Sequence, residues 1–119
     1  MRRKHQNLLA WQRSVALVEE VYRLTTSFPA TDIYGLVAQM RRAAISIPSN
    51  IAEGAARNGE REFVHFLGIA RGSLSELDTQ LIIARNLGYL ADLTPYEKNM
   101  DEIFALLGGL INSLREADK

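Results

Sequence analysis

Glu60-Arg61-Glu62-Phe63-Val64-His65-Phe66-Leu67-Gly68-Ile69-Ala70-Arg71-Gly72-Ser73-Leu74-Ser75-Glu76-Leu77-Asp78-Thr79-Gln80-Leu81-Ile82-Ile83-Ala84-Arg85-Asn86-Leu87 decides the fold. Within it Phe63, Leu67, Ala70, Leu74, Leu77, Leu81 and Ala84 recur at strict 4-3-4-3-4-3 spacing. That is the period of one face of an α-helix, not the alternation of a strand. Gly88 supplies a C-terminal stop. Upstream, Asn58-Gly59 closes a second helical pattern that begins near Asp32, a residue suited to an N-cap. Ile33, Leu36, Val37, Met40, Ala44, Ile47 and Ile51 keep one side of it apolar, with Pro48 inside. Proline removes a backbone donor and crowds the carbonyl four residues back, so a kink or two shorter helices is expected. The apolar phase continues past Pro48, which favours a single helix kinked there.

Further upstream, Leu8, Trp11, Val15, Val18 and Tyr22 recur in steps of three and four, with Leu17, Val21, Leu24 and Phe28 widening the stripe. Pro29 ends it. Downstream, Thr94-Pro95-Tyr96-Glu97 reads as a capping box with proline at the first helical position. Met100, Ile103, Phe104, Leu107, Leu110, Ile111 and Leu114 form the face that follows. The reading is one all-α domain over residues 1–119, with helices at about 8–27, 32–58, 60–87 and 95–116. Three short connections imply an antiparallel up-down-up-down four-helix bundle.

Composition narrows the function classes. Fourteen Lys and Arg balance fourteen Asp and Glu, for a formal charge of zero. The 47% hydrophobic and 24% charged content is that of a globular domain and excludes disorder. The absence of cysteine excludes a disulfide framework, a thiolate zinc site and a cysteine nucleophile. Eleven of the fourteen cations are arginine, which favours planar, bidentate recognition. No run approaches the ~18 apolar residues of a membrane span. No apolar core of a signal peptide follows Met1-Arg2-Arg3-Lys4. Cytoplasmic residence without a membrane partner is therefore expected. Balanced charge argues against simple, tight nucleic-acid binding, which usually shows a basic excess.

The outward faces carry the candidate site. On the second helix Arg42, Ser46, Ser49, Asn50, Glu53 and Arg57 cluster opposite the apolar stripe. The bland interpretation is a solvated face. Yet this face has no lysine, and it gathers Ser, Asn and Arg beside a costly proline. Such groups suit a fixed hydrogen-bond network at a subunit interface or a ligand. Glu53 and Arg57 also have the spacing of an i,i+4 ion pair. On the third helix Gly68, Gly72, Ser75 and Thr79 lie away from the core. A glycine inside a helix costs about 1 kcal/mol relative to alanine, so something is expected to pack there closely. Arg71, Asp78 and Arg85 repeat every seven residues, where partner helices exchange charges. Gly108-Gly109 allows the same close approach or marks a local break.

Enzymatic patterns are lacking. Glu62 and His65 form one Glu-x-x-His unit, but a di-iron bundle needs two such units and two further inward glutamates. No phosphate-cradling glycine loop, Gly-x-Ser-x-Gly elbow or Ser-x-x-Lys pair occurs. The expectation is a non-enzyme with no cofactor, no metal and no small-molecule substrate. Arg2, Arg3, Arg41 and Arg61 are the candidate contacts for RNA or DNA.

The run Gln39-Met40-Arg41-Arg42-Ala43-Ala44-Ile45-Ser46-Ile47-Pro48-Ser49-Asn50-Ile51-Ala52-Glu53-Gly54 resembles the bacterial family named for proteins encoded in intervening sequences of 23S rRNA genes. Glu62-Phe63, Phe66 to Leu77, Asn86-Leu87-Gly88-Tyr89-Leu90 and the segment from Leu9-Ala10-Trp11-Gln12 to Phe28-Pro29 extend the likeness over nearly the whole chain. The resemblance implies a four-helix bundle assembled into a ring-shaped homopentamer, with no established catalytic activity. Its signature falls on Arg42, Ser46, Pro48, Asn50, Glu53, Gly54 and Arg57. Similar accessory proteins of diversity-generating retroelements bind nucleic acid and a reverse transcriptase through basic surfaces, from which the zero net charge here departs. Two functions follow as expectations: an oligomeric scaffold, or an RNA- or DNA-binding accessory protein.

Overall fold

The computed structural model describes residues 2–117 and contains no strand among them. Four helices build it: α1 (Leu9–Thr25), α2 (Ala38–Ala55), α3 (Glu60–Asn86) and α4 (Thr94–Ala117). A 3-10 turn, Lys4–Asn7, precedes α1. The body measures 48 × 26 × 21 Å. Among the described residues no helix is long and apolar enough to cross a membrane.

The heptad-like stripe of α3 is the centre of the core. All seven of its predicted positions, Phe63 through Ala84, are buried. Helix α2 packs against α1 and α3, while α4 packs against α3 and α1. Ser46 meets Ser73, and Gly54 faces Phe63 and Phe66, so residues late in α2 lie against residues early in α3. Arg13 pairs with Glu102, and Glu20 with Asn99, ordering α1 against α4 in the same opposed sense. Met100, Ile103, Leu107 and Ile111 of α4 complete the core.

The stripe predicted for α1 holds at Leu17, Val21 and Phe28, which are buried, but the core side is turned away from some of its leading residues. The buried residues of α1 are Ala10, Ser14, Leu17, Val21 and Thr25, whereas Trp11 and Val15 are only half-buried and Tyr22 is exposed. The reason is local. Ser14 donates its hydroxyl to the Ala10 carbonyl, and Thr25 to that of Val21 at 2.7 Å. A hydroxyl satisfied one turn back on its own helix enters a core without an orphaned donor. Both residues read as polar in the sequence and behave as small packing groups in the fold.

The second helical segment also starts differently. A 3-10 turn at Ala30–Asp32 and a π-turn at Ile33–Val37 precede α2. Helical backbone is lost at Gly35, with φ −105° and ψ −110°. Asp32 makes no capping bond. Its carboxylate accepts the Tyr89 hydroxyl instead, and the Tyr89 ring lies 5.2 Å from that of Phe28. The bond to Asp32, then burial, then the aspartate charge push the Tyr89 hydroxyl pKa up. This contact ties the connection after α3 to the one before α2. Pro48 is buried inside α2, which runs through it as one helix and ends at Ala55, short of the predicted 58. At Gly59 the backbone takes φ 137°, a left-handed value that glycine alone adopts freely.

Candidate functional site

The outward face shared by α2 and α3 holds most of the predicted site residues. Ser46 sits in the seam between the helices, where its Oγ lies 2.9 Å from Ser73 Oγ. Asn50 donates its amide to the Ser46 carbonyl at 2.8 Å and to the Ser46 hydroxyl at 2.9 Å. Ser46 and Asn50 of this face therefore form a hydrogen-bond network that joins α2 to α3 through Ser73. Around it Arg42, Ser49, Glu53 and Arg57 are exposed. Arg57 pairs with Glu53 at 2.9 Å, as the spacing predicts, and its guanidinium lies 4.9 Å from the Phe66 ring centre.

The glycines divide into two kinds. A Cβ on Gly54 would stand 2.8 Å from Phe66 Cβ and 3.0 Å from Phe63 Cδ1, so this glycine is what lets α2 and α3 close together. At Gly68, Gly72, Gly108 and Gly109 a Cβ would meet nothing within 4 Å. Among the described residues nothing packs closely against Gly68 or Gly72. Arg71 and Ser75 are likewise exposed.

Next to the Ser46 network a groove of about 590 Å³ opens between the helices. It is lined by Tyr34, Gln39, Arg42, Glu76, Thr79 and Gln80. Tyr34 is 96% exposed, whereas Gln80 is only 5% exposed. Gln80 Nε2 reaches the Glu76 carboxylate at 3.4 Å, but its Oε1 is buried without a hydrogen-bond partner. Tyr34, Gln39, Glu76 and Gln80 lie outside the site residues predicted from sequence. A signal was present: Phe66, Ile69, Ser73, Glu76, Gln80, Ile83 and Leu87 repeat at 3-4-3-4-3-4 spacing, a second stripe beside the core stripe. Ile69, Ile83 and Leu87 on it are 40%, 43% and 56% exposed.

The candidate nucleic-acid contacts do not form one set. Arg2, Arg3 and Lys4 line a cleft against Ala52 and Ala55. Lys4 and Arg57 line the next cleft, with Glu60 and Leu114, and those two residues also border a third beside Arg61 and Arg115. One end of the bundle therefore gathers six cations, Arg2, Arg3, Lys4, Arg57, Arg61 and Arg115, around connected clefts. Arg41 lies elsewhere. Its Nε donates to Thr25 Oγ1 at 3.0 Å, and its guanidinium stacks 4.4 Å from the Tyr22 ring centre, far along α2 from that end. It acts as a packing residue between α1 and α2.

Glu62 accepts the Asn58 backbone N–H at 3.3 Å, closing the start of α3. His65 packs edge-on against Phe66. No group of three His, Asp or Glu side chains converges among the described residues. At the start of α4, the Asp92 carboxylate accepts the Thr94 backbone N–H at 3.0 Å, and that bond holds its pKa below the usual aspartate value.

A family model described as 23S rRNA-intervening sequence protein matches residues 6–109. No curated protein matches the chain.

Proposed function

The chain belongs to the 23S rRNA-intervening sequence protein family, and from that premise we propose that it is a non-enzymatic, ring-forming homo-oligomeric scaffold. A pentamer in the bacterial cytoplasm is the form that the family resemblance favours. One observation carries the reading. Helix α3 keeps Gly68 and Gly72 on an outward face where the protomer places nothing within 4 Å of a Cβ. Each glycine weakens an exposed helix by about 1 kcal/mol relative to alanine, without any packing return inside the protomer. Contact with a second protomer supplies that return.

Light scattering at micromolar concentration tests the assembly directly, and a monomer overturns it. The double variant Gly68→Ala/Gly72→Ala sharpens the test. If another protomer packs on this face, the added methyl groups weaken assembly while helix content stays constant. If the face is only solvated, the variant melts at a higher temperature with unchanged mass, and the scaffold loses its supporting observation.

The cationic end of the bundle favours a second reading, an accessory protein that binds RNA. Net charge does not describe surface pattern, and a ring gathers several such ends. Affinity for structured rRNA fragments is expected to fall steeply as salt rises, because phosphate contacts release counterions. Arg2→Ala/Arg3→Ala/Arg61→Ala is expected to lower both affinity and salt slope. No binding at low salt rejects the reading.

A further inference from the structure

Helix α3 carries polar side chains on two opposite flanks, and one of their atoms, Gln80 Oε1, is buried without a hydrogen-bond partner. On the α2 side, Glu76 and Gln80 sit in the groove, and the Gln80 Oε1 is a buried acceptor without a donor. Arg42 faces them from α2 without a hydrogen bond or ion pair of its own among the described residues. At 3.6 residues per turn, Arg71, Asp78 and Arg85 fall on the other flank. They continue the seven-residue step from Val64, which lines a cleft with Leu114 of α4. No side-chain hydrogen bond or ion pair joins any of these three to another described residue; the ion pairs among the described residues are Arg13–Glu102 and Arg57–Glu53.

We infer that the two flanks are halves of one contact: the α2/α3 groove of one protomer receives the α3/α4 flank of a second copy of this chain. The chemistry of these groups selects that occupant. Glu76 and Gln80 Oε1 are both acceptors and call for a donor-rich, planar cation. Arg85 or Arg71 provides a guanidinium with five N–H donors. Asp78 provides the carboxylate for Arg42. Asp78 and Arg85 are separated by about 10.5 Å along α3, close to the 8–10 Å between packed helix axes. One flank crossing the groove can therefore serve both of its walls. Exposed Ile69, Ile83 and Tyr34 beside the groove supply the apolar and aromatic surface typical of an interface centre.

The two surfaces differ, so the contact is head-to-tail. A contact of that kind closes into a ring when its rotation permits, rather than pairing two copies about a twofold axis. The inference rests on the scaffold reading and specifies how the copies meet.

Charge reversal tests it. Arg42→Glu/Glu76→Arg reverses the groove, and Asp78→Arg/Arg85→Glu reverses the flank. All four side chains lie at the surface or its margin, and circular dichroism checks that each variant is folded. Either reversal alone is expected to raise the concentration for half-assembly about tenfold or more, a loss of at least 1.4 kcal/mol. The chain carrying both reversals is expected to regain assembly. A monomeric wild-type protein overturns the scaffold itself. An assembled wild type whose reversed variants assemble equally well overturns only this interface, as does a fourfold variant that stays dissociated. Gln80→Leu gives an independent readout. It removes the orphaned acceptor and is expected to raise the melting temperature of the diluted protomer while weakening assembly; a parallel change in both overturns the role given to Gln80.

Discussion

Leu74→Ala is expected to lower the melting temperature by about 8–20 °C. Leu74 is fully buried on α3, next to the residue that bonds α2 at Ser46. It lies in the core where α3 meets its neighbours. Truncating such a leucine costs roughly 2–5 kcal/mol, the lost transfer energy plus the cavity. For a domain of this size each kcal/mol shifts the midpoint by about 4 °C. A thermal melt followed by circular dichroism checks this, and a midpoint matching the parent removes Leu74 from the core.

Gly54→Ala is the second large effect, and it runs against helix propensity. Alanine is favoured over glycine inside a helix by about 1 kcal/mol. At Gly54 the new methyl would stand 2.8 Å from Phe66 Cβ and 3.3 Å from the Phe63 carbonyl oxygen. Neither is the free end of a flexible side chain, so relief requires α2 and α3 to separate. Overpacking of this kind costs about 1–3 kcal/mol, and the loosened seam adds to it the strained Ser46–Ser73 contact. Denaturant midpoints are expected to fall for Gly54→Ala. Under dilute conditions that keep the protomer dissociated, they are expected to rise for Gly68→Ala, where the methyl meets open space. Equal changes at the two glycines would contradict the seam geometry.

What the residue order reveals depends on whether a signal lies within one helix or between two. The α3 stripe was legible to the last residue because a seven-residue apolar repeat is a property of one helix alone. The α4 face was legible for the same reason. In α1 the stripe was legible at Leu17, Val21 and Phe28, but Ser14 and Thr25 escaped it because they hide their hydroxyls within their own helix. Residue polarity does not reveal that bond. Asp32 was read as a helix cap, yet Tyr89, distant in sequence, takes its carboxylate. Among the site residues, the Glu53–Arg57 pair needed only local spacing to predict. The assignment of Ser46 and Asn50 required the opposing Ser73, and the separation of Arg41 from the other arginines required Thr25 and Tyr22.

Helix count, the inward faces of α3 and α4 and the family were written in the order of residues, since each depends on spacing within one segment or on a contiguous motif. Which glycine is a close-packed necessity, where the cations gather and which buried amide lacks a donor depended on assembly of the bundle. Those properties belong to pairs of residues on different helices. Interhelical distance, set by the packing of many side chains at once, is not encoded at any single position.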